Sequence, residues 1–539
     1  MKKLALLVSV IALAGLMVSC GGKKPAAVNG SVLHVQIGPS PETIDPALNS
    51  AVDGGNMILH AFEGLLRFDR NNNVIGGAAE TWEQSSDGLT WTFHLREGLK
   101  WSDGTDLTAD DFVYSWRRVA DPATAAPYGY DLLNMVRGFD EASAGDIEKL
   151  AVSAPNAQTF VVELTSPCIY FDKIASFATL VPVQKAAVEA AGDGWATAPE
   201  SYVTDGAYCM TEFTDGAQIV FTKNPYYWDA ANVTFEQIVW HLIEDSNTSY
   251  TAYNQGEIQL IKDVPTEEIP SLLDNNEFHV EPIMGTYYVS FNTKRAPFDN
   301  QLVREALTLA IDRKYVAEVI MGGTYSPAKN FVGPGVSDAA AASSYEEVTT
   351  ATYGDHFNIE NYEADLQRAK ELLAQAGYPE GKGFPAFEYL TNDAGYHKAV
   401  AEYLQSAWAQ LGLTMNVNIQ EWKTVSADRR SGNFDVARNG WVYDWDDPSN
   451  MINLLETSNG NNDGKYSSKE FDNLVKLARN STDLRLHYDF LHQAEQVMLN
   501  DSAVAPIAYY NEFWLQKSNL KGTWHSPYGY WYLMYGSLE

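Results

Sequence analysis

Residues 433–450 read NFDVARNGWVYDWDDPSN, and the character of the chain changes half-way along them. The stretch begins as an apolar-rich strand through Phe434, Val436 and Ala437 and then turns through Asn439-Gly440. It ends in a segment that holds Trp441, Tyr443, Asp444 and Trp445. A lone carboxylate among bulky aromatic rings is costly to bury unless a cation meets it. No Lys or Arg lies between Arg438 and Lys465. Three readings of Asp444 follow. It is solvated in an acidic loop with Asp446 and Asp447, or it pairs with a Lys or Arg distant in sequence, or its cation is a ligand. Taken alone, the stretch favours the solvated loop.

Outward from this strand, the second half of the chain alternates helix and strand. Leu366, Ala369, Leu372, Leu373 and Ala376 recur at helical spacing, which predicts a helix over 364–376 stopped by Gly377 and Pro379. A second helix is expected over 398–411, ended by Gly412, and a strand over 413–419, where Leu413, Met415, Val417 and Ile419 alternate with polar residues. Such alternation predicts an α/β sheet covered by helices. In the first half, strands are expected at 33–37, 89–96, 159–164 and 218–222, and a helix at 56–66. Another helix, over 112–119, is announced by the capping-box-like 108–111. Residues 335–355, rich in Ala, Ser and Thr, read as a long polar loop.

The 539 residues suffice for two or three domains with large cores, and 45% hydrophobic content marks a globular chain. The net charge of −33, from 70 acidic against 37 basic residues, argues against a nucleic-acid surface and against docking on an anionic leaflet. The sequence holds no GxSxG, HExxH, P-loop or strand-following GxGxxG, no CxxC and no zinc-ligand spacing. No metal, cofactor or catalytic role is expected.

The N-terminus reads as an export signal. Lys2 and Lys3 precede an apolar run over 4–18 that ends at Cys20. The arrangement resembles a bacterial lipoprotein signal, with cleavage after residue 19 and lipidation of Cys20, although Met17 stands where leucine is usual. The run is short for a retained bilayer-spanning helix. Residues 20–31 then form a flexible tether. Cys168 and Cys209 remain, and export permits a disulfide between them; two buried thiols are the alternative.

Several stretches in order resemble the extracytoplasmic solute-binding proteins of ABC importers, the peptide/nickel-binding family, in its oligopeptide-binding branch. They are Glu80-Thr81-Trp82, DGLTWTFHLREGLKWSDGTDLTADDFVYSWRRVADP (87–122), KNPYYW (223–228), Tyr287-Tyr288 through Asn292, PFDNQLVREALTLAIDR (297–313), QEWKT (420–424) and FDVARNGWVYDWDDP (434–448). The likeness spans essentially the whole chain from residue 33. It implies a two-lobed α/β periplasmic-binding-protein fold, type II-like, with an extra inserted domain. A discontinuous first lobe (32–61, 190–284 and 511–539) would carry the inserted domain (62–189), and a second lobe would span 285–510. A ligand would be enclosed between the lobes by hinge closure.

In that branch an Asp of the tryptophan-containing segment meets the ligand's α-ammonium, and Asp444 falls there. At about 4 Å and an effective dielectric of about 20, such a pair is worth roughly 4 kcal/mol before desolvation. Arg438 and His397 match positions that meet the ligand's C-terminal carboxylate. Trp422 and Trp441 match tryptophans that wall side-chain pockets, and Tyr128 matches a tyrosine that closes on the ligand from the inserted domain. Gly440 lets the chain pass close to a ligand backbone, or makes a turn. The implied partners are short peptides, permease subunits and, through the lipid anchor, a membrane, with a monomeric receptor. A receptor of the same fold for another solute, such as a nickel chelate, haem, a glycan or a cell-wall peptide, and an extracytoplasmic peptide sensor or chaperone are the alternatives.

Overall fold

The computed structural model describes residues 31–340, 343–392, 396–420 and 422–539, with the side chains of residues 422 and 423 outside that description. The signal, Cys20 and most of the tether lie outside the described residues.

Two long strands organise the chain. Phe278–Phe291 is rich in β-branched and aromatic residues, and its second half, from Met284 on, is buried on both faces. It runs antiparallel to Val504–Gln516, from Phe278 opposite Leu515 to Ser290 opposite Val504. The ladder shifts register between Pro282 and Thr286 and again between Tyr287 and Tyr288. Pro282 has no N–H to give a ladder, and its place is next to such an irregularity.

Among the described residues this pair lies within an eleven-stranded sheet, whose short strand Ser326–Pro327 pairs with Val504–Gln516 off the main path. On one side follow Leu260–Ile261, Val32–Gln36, Gln237–His241, Gln218–Lys223 and Tyr208–Thr214. On the other follow Val436–Val442, Phe387–Asn392 and Met415–Gln420. Val32–Gln36 and Phe387–Asn392 are each parallel to both neighbours, as helix-covered α/β sheets require. The two crossing strands thus belong to both halves of the molecule.

A separate antiparallel sheet joins Ala79–Gln84, Thr90–Leu95, Thr159–Glu163 and Val152–Asn156 in that order. The expected alternation holds: Trp91, Phe93 and Leu95 are buried. Helix Ala109–Ala120 covers this sheet, and Asp111 accepts the Thr108 N–H at 2.8 Å in the expected capping box. In the other half, helices Tyr362–Gln375 and His397–Ala409 bury Leu366, Leu372, Leu373, Val400, Leu404 and Trp408 against Tyr287, Val289, Phe387 and Tyr389. No helix among the described residues is long and apolar enough to cross a membrane.

Four expectations need correction. Strand Val436–Val442 runs through Asn439-Gly440, paired residue by residue with Gly285 to Phe291, so no turn forms there. Residues 335–355 are not a continuous loop: helix Tyr345–Tyr353 buries Tyr345 against His492, ring centroids 3.9 Å apart. Its β-branched residues lack an apolar period, which hid it. The helix expected at 56–66 is Val52–Ala61, because Gly54 and Gly55 pack too closely for side chains, against Asn49 and Tyr530, and Leu66–Phe68 forms a strand. Finally, Cys168 and Cys209 are free thiols and form no disulfide with each other. Cys168 packs in the core around Trp91 and Phe171, while Cys209 lies on strand Tyr208–Thr214 beside Thr204 and Ser102. Burial pushes both thiols up from their ordinary pKa.

Candidate functional site

Val436–Val442 is wedged between Phe278–Phe291 and Phe387–Asn392, and its position dictates unusual side chains. Asn439 is a network centre, not a turn residue. It donates to Ser290 at 2.9 Å and Asp463 at 3.0 Å, and accepts from Arg429 at 2.7 Å and from the Gly440 N–H. At Gly440 a Cβ would overlap the Tyr510 hydroxyl, so any side chain there must push that hydroxyl aside. That hydroxyl in turn accepts from Arg438 Nη2 at 3.0 Å. Arg438 lies over the Tyr287 ring at 5.2 Å, and the His397 ring lies 5.5 Å from the same tyrosine. The structure therefore brings Arg438 and His397 together. Burial, then the Arg438 charge, lowers the His397 pKa to about 3, so the ring is neutral. Tyr325 and Tyr396 complete a tyrosine-rich wall there.

Past the strand, the three acids of 444–447 have three different environments. The solvated loop is ruled out: Asp446 and Asp447 are each 1% exposed. Asp446 lies 3.3 Å from Lys173 Nζ and accepts the Ser337 N–H at 2.7 Å. Asp447 lies 3.0 Å from His487 Nε2 and accepts the Ser449 N–H. Burial alone would raise its pKa, but His487 more than offsets this and holds it below the usual value. Both acids thus pair with distant cations. Asp444 does not. Among the described residues it meets only the Tyr128 hydroxyl at 3.1 Å and the Asn450 amide at 3.5 Å. Burial raises its pKa to about 6, against the opposing pull of those two hydrogen bonds.

Around Asp444 lies a cavity of about 120 Å³, lined among others by Ser50, Tyr128, Phe177, Thr179 and Tyr530. Tyr128 approaches from the body that holds the four-stranded sheet, its ring 5.1 Å from Phe177. Trp441 donates its indole N–H to Asn450 Oδ1 at 2.8 Å, and that oxygen also takes the Asp444 N–H at 3.2 Å. Trp441 thus helps to hold the acid's backbone. Trp422 opens helix Trp422–Ser431, but its side chain lies outside the described residues. Asn450, Tyr530, Tyr510, Tyr287 and Lys173 were not foreseen. Of these only Asn450 carried a local signal, in the Asp-Asp-Pro-Ser-Asn run that starts a short helix.

The model of the bacterial extracellular solute-binding proteins, family 5 Middle, matches residues 73–463. The chain is 36% identical over 480 residues to the periplasmic oligopeptide-binding protein OppA of Salmonella typhimurium, covering 88% of this chain and 86% of that protein. It is 31% identical over 526 residues to the periplasmic murein peptide-binding protein MppA of Escherichia coli, with 96% and 94% covered. Among solved structures it is similar to Haemophilus influenzae OppA in complex with RPPGFSPFR, with a TM-score of 0.75 and 30% identity over 95% of this chain and 99% of that one.

Proposed function

The chain belongs to the bacterial extracellular solute-binding proteins of family 5, and on that premise we propose that it is an oligopeptide-binding receptor for an ABC importer. One observation carries the reading. Of three neighbouring acids in one loop, Asp444 alone has no Lys, Arg or His partner among the described residues, yet it faces a cavity. A buried carboxylate of this kind suits an incoming cation. A peptide's α-ammonium supplies that cation and shares the carboxylate with the Tyr128 hydroxyl. The similarity to peptide-binding relatives supports the same ligand class.

In this reading Arg438, with neutral His397 beside it, takes the peptide's terminal carboxylate. Trp441 and Trp422 wall side-chain pockets, and Gly440 leaves room for the ligand backbone. The first lobe comprises 32–61, 190–284 and 511–539, the inserted domain 62–189, and the second lobe 285–510. Its support is that one core cluster draws all its members from 287–508, while the crossing strands link both halves. Register breaks near Pro282 and Tyr287 weaken the ladder where a hinge between lobes would bend. The lobes enclose the peptide and present it to the permease, with no chemistry done on it and no cofactor. The mature receptor is a monomer held to the membrane through lipid on Cys20 after removal of residues 1–19.

Native mass spectrometry of the purified protein, then sequencing of whatever is released on denaturation, tests the reading. A ladder of short mixed peptides is expected; a single non-peptide species overturns it. Cys20→Ala is expected to move the protein from the membrane fraction to the soluble one, and continued membrane association would contradict the anchor.

A further inference from the structure

The loop 444–447 is held at Asp446 by two residues distant in sequence, Lys173 and Ser337. Lys173, in helix Phe171–Ile174, donates to the Asp446 carbonyl oxygen and lies 3.3 Å from its Oδ2; the two side chains are 18% and 1% exposed. Ser337 also gives the same carboxylate its N–H and its hydroxyl. Beside them Trp445 stacks on Tyr170, with ring centroids 6.1 Å apart and planes 8° from parallel. These contacts need no ligand, and none of them touches Asp444.

We propose that Lys173 is a positioning residue for ligand recognition: by pinning both the main chain and the carboxylate of Asp446, it keeps Asp444, two residues earlier, aimed into the cavity. The proposal rests on Asp444 being the ammonium contact. Two residues of chain reach at most about 7 Å, so a fixed Asp446 leaves Asp444 little freedom. Without Lys173, Asp446 would keep a buried charge stripped of its cation, and the loop would relax toward water. Asp444 would then have to be ordered at the moment of binding, and affinity would fall by that amount. The Lys173 ammonium acts on the ligand only through this loop.

The test is calorimetry with whichever of tri-, tetra- and penta-alanine binds the wild type most tightly, alongside its N-acetylated form. The chains are wild type, Asp444→Asn, Lys173→Met, Lys173→Arg and the double variant Lys173→Met with Asp444→Asn. Lys173→Met is expected to weaken the free-amine peptide about tenfold in the wild-type background and less than about twofold beside Asp444→Asn. Lys173→Arg is expected to stay within about threefold of wild type, since a guanidinium reaches the same two oxygens. A merely structural role would lower affinity equally in both backgrounds and would overturn the proposal, as would unchanged binding in Lys173→Met. Should Lys173→Met fail to fold, Ser337→Ala, which removes one anchor of the same carboxylate, decides the matter. A loss of about threefold that depends on Asp444 supports the proposal, and no loss or an Asp444-independent loss overturns it. The ammonium reading is scored separately, by acetylation and by Asp444→Asn on the otherwise unaltered chain.

Discussion

Asp446 and Asp444 stand two residues apart on one loop, Asp446 buried and Asp444 half-buried. Asp446 meets an ammonium and two donors from Ser337, while Asp444 meets a tyrosine hydroxyl and an amide. Asp447, the next residue, has its own imidazole. The pairing of two acids is internal and permanent, and that of the third is left to neutral donors. The chain supplies cations to two of these carboxylates, and on the proposed reading 446–447 is scaffold and Asp444 is the ligand contact. On that reading the contrast separates residues that hold the loop from the residue proposed to use it.

Breaking the scaffold should have the largest effect. His487→Gln strands the Asp447 carboxylate in the core, and we expect a loss of about 3–5 kcal/mol of stability, read by chemical denaturation. A loss below about 1 kcal/mol would show that Asp447 finds another partner. Breaking the receptor acts on binding instead: Asp444→Asn should weaken peptide affinity by roughly 2–5 kcal/mol, measured by calorimetry, with the fold intact. Gly440→Ala forces the Tyr510 hydroxyl aside, together with the Arg438 bond to it, and should destabilise the chain by about 1–3 kcal/mol in the same unfolding assay.

The smallest effect sharpens the comparison through pH. The carboxylate of Asp444 has a folded pKa of about 6, above the value of about 4 in an unfolded chain. Holding its charge therefore costs stability increasingly as pH rises from about 4 to about 6, and fully above that range. Asp444→Asn should accordingly stabilise the ligand-free protein above pH 6, on the order of 1–2 kcal/mol once partial exposure is allowed for, and should change nothing below about pH 4. Melting temperatures of both chains across that range check it. Asp447, held below its usual pKa, should show the opposite trend, with stability lost as the solution becomes acidic.

Much of the fold was legible because its signals are local. The apolar spacing at Leu366, Ala369, Leu372 and Leu373 and the alternation Trp91, Phe93, Leu95 placed buried faces correctly. Thr108 and Asp111 marked a true helix start. The site was legible only in part. Aromatic neighbours and the absence of nearby cations drew attention to Asp444, but alone they favoured a solvated loop and only the family resemblance pointed to a ligand contact; its hydroxyl partner Tyr128 lies 316 residues earlier, and Lys173 lies 273 residues before Asp446. No local period records such a pairing. Asn439-Gly440 misled because its chemistry is tertiary: the asparagine serves Arg429, Ser290 and Asp463, and the glycine yields space to Tyr510.

The most direct test of the contrast between Asp444 and its neighbours is calorimetry of one peptide with a free and with an acetylated amine, on the wild type and on Asp444→Asn. The account predicts that acetylation costs the wild type roughly 2–5 kcal/mol and costs Asp444→Asn much less, because both changes remove the same pair. Equal losses in the two chains, or none in either, would contradict it.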